Sequence, residues 1–431
     1  MSSRRSFLKT IIIGGGAGCL VPSVFTNALA AAAETGGGGA VAGEAPLLVV
    51  VQLSGGNDGL NMVVPLASDA YRRVRPKLAL AAERCHRLTD DTGLHPALVG
   101  LKGLYDDGQM SVVHAVGYPD ANRSHFRSME IWHTASDANR YESLGWLGRY
   151  FDQYGGGGAG GLGVAIGAQE PQAFAAKRPR ALAFRQPKQL HIRGPRQTKD
   201  EDMDAARMDA WEEMQGFEEG DAGGSIGMLA GGRASGGTSP LAFLEQTARE
   251  AQDGARLVTE IEGRVRNQVA FPSTGLGRDC GMVARLIAGQ MPARVYYLSL
   301  GGFDTHTNQA GAQERLYREL GDALQALVQD LRAQGNLGRT RVMVFSEFGR
   351  RVKENANGGT DHGAAGPVLL LGGAGKAGVL GAYPSLEPDQ LDRGDVRYAV
   401  DFRSVYATLL ERHLGVAAAP VLGRSFPLLD V

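Results

Sequence analysis

Leu47 to Leu53, LLVVVQL, is a nearly continuous apolar run with the length and β-branched character of a strand buried on both faces. Arg341 to Phe345, Val368 to Leu371, Met110 to Val116 and Val295 to Leu300 are runs of the same kind. Between them the apolar spacing changes to that of amphipathic helices. Leu98, Leu101 and Leu104 define one over Leu94 to Asp107, and Phe126, Met129 and Trp132 define one that begins near Ser124. Others are predicted over Leu241 to Asn267, near Cys280 to Ala288, through Leu316, Leu320, Leu324, Leu327 and Leu331, and over Phe402 to Leu414, where Asp401 is the N-cap and His413 lies in the last turn. Strands alternating with helices predict an α/β domain. Shorter runs at Gly163 to Ile166, Ala181 to Phe184 and Gln189 to Ile192 read as further strands, and no period repeats along the chain.

The polar residues that follow these runs carry the candidate chemistry, because open α/β sheets bind ligands at the carboxyl ends of their strands. Asn57 and Asp58 follow the first run, Asp304 and His306 follow the run from Val295, and Ser346 and Glu347 follow the run from Arg341. Asp304 and His306 alternate, so on an extended backbone both side chains face one point. Gly358, Gly359 and Gly363 bracket Thr360, Asp361 and His362, a loop bent to present a carboxylate and an imidazole together. Four acids brought to one place repel unless a cation or a base neutralises them. Two readings follow: a divalent metal held by Asp58, Asp304, His306, Glu347, Asp361 and His362, or salt bridges to Arg123, Arg350 and Arg351. Mixed Asp, Glu and His donors suit zinc, manganese, magnesium or calcium better than copper or an iron–sulfur cluster. Ser124, at a helix start, is placed for an anion or for nucleophilic attack, and equally for an ordinary N-cap. His114 lies inside a strand and reads as a core histidine.

Charge and the amino terminus narrow the setting. Arg4 and Arg5 within SRRSFLK, a mild apolar stretch interrupted by Gly14, Gly15, Gly16 and Gly18, and the alanines from Ala28 to Ala33 read as a twin-arginine export signal. That predicts recognition by the twin-arginine translocase and a periplasmic or extracellular mature chain, with no stable transmembrane anchor. Cys19 also raises a lipoprotein reading, against which Gly16 stands where a large aliphatic residue is usual. Removing residues 1–33 takes away three cations and no acid, moving the formal net charge from −1 to −4, which argues against a nucleic-acid partner. Only Cys85 and Cys280 remain, too far apart for a CxxC metal site. Residues 34–46 form a Gly/Ala linker, and residues 47–431 are expected to form one α/β domain with a variable elaboration at about 155–275.

The ordered set SRRSFLK, LSGGNDGLN, NRSHF, GGFDTHTNQ, SEFGRR and GTDHG resembles the exported "domain of unknown function 1501" family over essentially the whole mature chain. That family is similar to the alkaline-phosphatase-like superfamily of phosphatases and sulfatases. The resemblance implies a three-layer αβα fold around a central, mostly parallel mixed sheet, with metal ligands at strand ends. It also implies Ser124, or the adjacent His125, as the acting residue at a helix start. The enzyme reading that follows is hydrolysis or transfer of a phosphate or sulfate ester, of a small molecule or a polymer, in which Arg123 or Arg350 is expected to steady the developing charge. The pattern departs from the superfamily where Asp304-x-His306 replaces its longer Asp/His spacing and Ser346-Glu347 replaces Asp-His. A non-catalytic binding module on the same fold is the alternative.

Overall fold

The computed structural model describes residues 45–155, 163–167, 170–177, 181–185 and 253–431. The first strand, β1 (Leu47–Leu53), has all seven residues buried. It is followed by β2 (Val63–Pro65), β3 (His86–Arg87) and β4 (Thr92–Leu94), which pair antiparallel in the order β2-β4-β3 as a small separate sheet. Then come β5 (Met110–Gly117), β6 (Gly163–Ile166), β7 (Ala181–Phe184), β8 (Val295–Leu300), β9 (Thr340–Ser346), β10 (Gly366–Gly372), β11 (Gly378–Leu380) and β12 (Val400–Asp401). The main sheet runs β11-β5-β10-β9-β1-β8-β6-β7, with β12 also on β5. Only β10 runs antiparallel, to both β5 and β9; every other pairing in this sheet is parallel.

Side chains of β1 alternate between two apolar layers, as the two-residue period of a strand requires. Leu47, Val49, Val51 and Leu53 face a layer built from α1 (Val99–Asp106), the helix over residues 253–264, α2 (Gly275–Ala288) and α3 (Gln309–Ala333). Leu48 and Val50 face the other layer. There Trp132, Trp146 and Tyr406 come from three helices, His125–Thr134, Trp146–Tyr154 and Phe402–Thr408. Helices on both faces explain why the strand reads as a continuous apolar run instead of alternating with polar residues.

Several predicted elements change length. The helix expected from Leu94 starts at Val99, because Thr92–Leu94 is drawn into the small sheet and Pro96 follows. The helix from Phe402 passes into a π-helical turn at Leu409–His413. There His413 Nε2 donates to the carbonyl of Leu47 at 2.8 Å, so that side chain ties the last turn to the sheet. His114 is buried inside β5, as read from the sequence. The export signal, most of the linker, the run from Gln189 to Ile192 and the first half of the Leu241 helix lie outside the described residues. Among the described residues no helix is long and apolar enough to cross a membrane.

Candidate metal centre

The parallel strands β9, β1 and β8 end side by side, so the loops after them meet at one edge of the sheet. Gly55 lets them close up. Its φ of +117° suits glycine, and a Cβ there would stand 2.5 Å from the backbone nitrogen of Asp304. Its N–H donates to Glu347 Oε1 at 2.8 Å, and its carbonyl accepts from Arg350.

Arg350 fastens this edge. Its guanidinium is fully buried and donates to the carbonyls of Gly55, Gly56, Phe303 and Thr360, and to Asp304 Oδ1 at 2.7 Å. This corrects the expectation that Arg350 faces a substrate: its N–H groups hold the loops together. Arg123 is engaged as well, in an ion pair with the buried Asp395, which Arg351 also approaches at 3.8 Å. Burial raises the pKa of Asp395, against the pull of Arg123.

On this frame three imidazoles converge on one carboxylate oxygen. His306 Nε2 stands 3.0 Å from Asp304 Oδ1, His362 Nε2 3.1 Å and His125 Nε2 3.5 Å. The Nε2 atoms of His306 and His362 are themselves 3.0 Å apart. Each ring is held from behind through Nδ1. His125 Nδ1 lies 2.9 Å from Glu347 Oε1, His306 Nδ1 3.2 Å from Asp361 Oδ1, and His362 Nδ1 2.7 Å from the carbonyl of Arg123. All three partners are acceptors, so each Nδ1 carries the proton and each Nε2 of a neutral ring presents a lone pair. Lone pairs aimed at one another and at a carboxylate are answered by a cation among them, a shared proton or a metal ion. His125 Nε2 is in addition buried without a hydrogen-bond partner. Imidazoles fixed at Nδ1 by carboxylate or carbonyl, with Nε2 turned inward, are the arrangement of metal-binding histidines. The donor set therefore fits a metal ion, with one ligand atom each of His125, Asp304 and His362 within 4.8 Å of one another.

Burial opposes ionisation of Asp304, but Arg350, through its hydrogen bond and its charge, with His362 and His306 beside it, outweighs burial and holds the pKa at about 2. Asp361 is also lowered, first by the hydrogen bond from Asn355 and, against some burial, by His306. Both groups thus stay carboxylates at any physiological pH.

The candidates read from the sequence separate into two shells and a remainder. Asp304, His306 and His362 converge as expected, and His125, expected as a catalytic group, joins them. Glu347 and Asp361, expected as ligands, instead stand behind His125 and His306. Asp58 does not join them. Its Oδ2 accepts from Arg75 Nη1 and from Gln309 Nε2, each at 2.6 Å, and its Oδ1 caps Leu60 N–H at 3.2 Å. A buried guanidinium neutralises it, so the expected metal contact is replaced by an ion pair. Ser124 is exposed at the N-cap of its ten-residue helix and makes no capping bond with its side chain. Arg75, Gln309 and Asp395 were not read from the sequence, which carries no local signal for them.

The fold and this cluster define an α/β protein with a histidine-rich candidate metal centre at the carboxyl ends of its parallel strands. The chain belongs to the family described as "Protein of unknown function (DUF1501)", whose model matches residues 45–428. No curated protein matches the sequence significantly. Several solved structures resemble the fold at a distance. An alkaline phosphatase superfamily protein from Vibrio parahaemolyticus is 12% identical, with a TM-score of 0.37, covering 94% of this chain and 79% of that one. The PsFucS1 sulfatase from Pseudoalteromonas sp. is 11% identical, with a TM-score of 0.36, covering 95% and 74%. The lipoteichoic acid synthase LtaP from Listeria monocytogenes is 9% identical, with a TM-score of 0.36, covering 88% and 75%. Such distant likenesses decide nothing about chemistry.

Proposed function

We propose that this chain is an exported, divalent-metal-dependent hydrolase or transferase acting on a phosphate or sulfate ester. The observation that carries the reading is the convergence of three Nδ1-anchored imidazoles on Asp304 Oδ1. Three imidazoles and one carboxylate suit zinc first and manganese second, and they disfavour calcium and magnesium, which prefer all-oxygen sites. When bound, such an ion supplies Lewis acidity to an ester oxygen. Ser124 supplies a hydroxyl at the start of a helix whose free N–H groups favour an anion. Its Oγ attacks the central phosphorus or sulfur as the bond to the leaving oxygen breaks, the hydroxyl proton passing to that leaving oxygen; water then attacks the same centre, the bond to Oγ breaks, and a proton of the water restores the serine hydroxyl.

One observation favours the alternative of a non-catalytic binding module: Arg123 and Arg350, the groups expected to steady an anion, are both engaged elsewhere. Metal-loaded wild type, Ser124→Ala and His362→Ala separate the two readings on phosphate mono- and diesters and sulfate esters. The expected outcome is that His362→Ala loses metal, while Ser124→Ala keeps metal and loses turnover. Metal without turnover in the wild type supports the binding module, and a wild type that stays metal-free and inactive after reconstitution overturns both the metal and the ester-hydrolysis parts of the proposal. Export rests on the paired arginines, so the double change Arg4→Lys, Arg5→Lys is expected to leave the precursor in the cytoplasm. Unchanged export of that variant ends the twin-arginine reading.

A further inference from the structure

Resting on the metal reading above, we infer that the centre holds one ion and that a buried arginine neutralises Asp58, which leaves this carboxylate outside the ligand set. Asp58 and Arg75 are both fully buried, and the guanidinium makes four hydrogen bonds. Nη1 bonds Asp58 Oδ2 at 2.6 Å and Asn61 Oδ1 at 2.9 Å, Nε bonds the carbonyl of Val352 at 2.8 Å, and Nη2 bonds the carbonyl of Arg351 at 2.8 Å. An ion binding Asp58 would have to displace a fully buried guanidinium and take its hydrogen bonds from the carbonyls of Val352 and Arg351.

Asp58 acts on the centre at one remove. Gln309 Nε2 donates to Asp58 Oδ2, while Gln309 Oε1 accepts from Thr305 Oγ1 at 3.0 Å and from Thr360 Oγ1 at 2.6 Å. Thr305 immediately precedes His306, and Thr360 lies two residues before His362. One carboxylate, fixed by one guanidinium, therefore sets the register of the two loops whose imidazoles stand 3.0 Å apart. Asp58, Arg75 and Gln309 are positioning residues: the buried guanidinium fixes the carboxylate, and the carboxylate fixes the amide that both loops bond.

Elemental analysis and calorimetric titration of the metal-stripped mature chain with zinc, and with cobalt(II) for its visible spectrum, test this. One equivalent per chain is expected. Two equivalents overturn the inference and leave the metal reading standing, and none overturns both. Asp58→Asn should keep one equivalent per chain; a lower stoichiometry in a variant that still folds by circular dichroism makes Asp58 a ligand and overturns the inference. Gln309→Met probes the link without leaving a buried charge unpaired. It is expected to keep one equivalent and to weaken metal binding by roughly 10–100-fold, the range for groups that orient ligands. Wild-type affinity in Gln309→Met overturns the positioning role.

Discussion

Asp58 and Asp304 invite comparison because each follows a parallel strand of the same sheet and each pairs with a buried arginine, at 2.6 and 2.7 Å. What surrounds the pair differs. Asp58 is fully buried and its other contacts are donors, so its charge is answered and its site closed. The Asp304 side chain is about half exposed, at 49%, and its other contacts are imidazole nitrogens presenting lone pairs, so its site is open and short of positive charge. Two carboxylates equivalent by position thus differ by neighbourhood: one locks the loops and the other awaits a cation.

The largest expected effect breaks the pair at the closed site. Arg75→Met leaves Asp58 buried without its cation, and loss of one partner from a buried pair costs about 3–5 kcal/mol. His306→Ala, at a side chain 42% exposed, should cost no more than about 1 kcal/mol in the metal-free protein. Urea unfolding of both variants measures this, and equal losses would erase the distinction between a lock and a ligand site.

Acid should act first on the closed interior. Burial lowers the pKa of His114 and of His133 to about 4. Their unfolded values lie near 6.5, so between these limits the unfolded chain binds more protons and folding stability falls as pH falls. Each contributes on the order of 3 kcal/mol across that window. Asp304 has the opposite ionic form but the same sign: its depressed pKa stabilises the fold above about 3.8, and that support is lost only as pH falls toward 2. Metal-free protein should therefore lose stability mainly between about pH 6.5 and 4, and His133→Gln should flatten the slope. A profile flat down to pH 4 would show that these buried histidines stay accessible to protons in the fold.

The frame was legible because burial on both faces leaves its mark in sequence. The runs at Gly163–Ile166, Ala181–Phe184 and Val295–Leu300 became strands with those limits. Candidate ligands were legible for a related reason, since they follow strands that end together. The sequence could not say on which side of an imidazole a carboxylate would stand. Glu347 and Asp361 look like ligands from position alone, and only the Nδ1 contacts place them behind the rings. Arg75 and Gln309 were illegible because their meaning is wholly tertiary: they lie in a short helix's exit and at a helix start, bonded to a residue 17 and 251 positions away.

The smallest effect sharpens the comparison within the open site, between the two carboxylates that anchor imidazoles. Glu347 is fully buried, accepting from Gly55 N–H and the Ser346 hydroxyl besides facing His125, so its charge acts on the ring through a poorly screening interior. Asp361 faces His306 with 57% of its side chain exposed, and water screens it. Glu347→Gln keeps the shape and an acceptor for His125 but removes the charge that makes the ring a stronger donor to a metal, and a loss of about 10–100-fold in zinc affinity is expected. Asp361→Asn is the same chemical change where solvent blunts it, and the loss should stay near the lower end of that range or below it. Competition titrations against a chelator resolve the two. If Asp361→Asn proved the more damaging, Asp361 would have to contact the ion itself, and the boundary between residues that bind and residues that orient would move outward by one carboxylate.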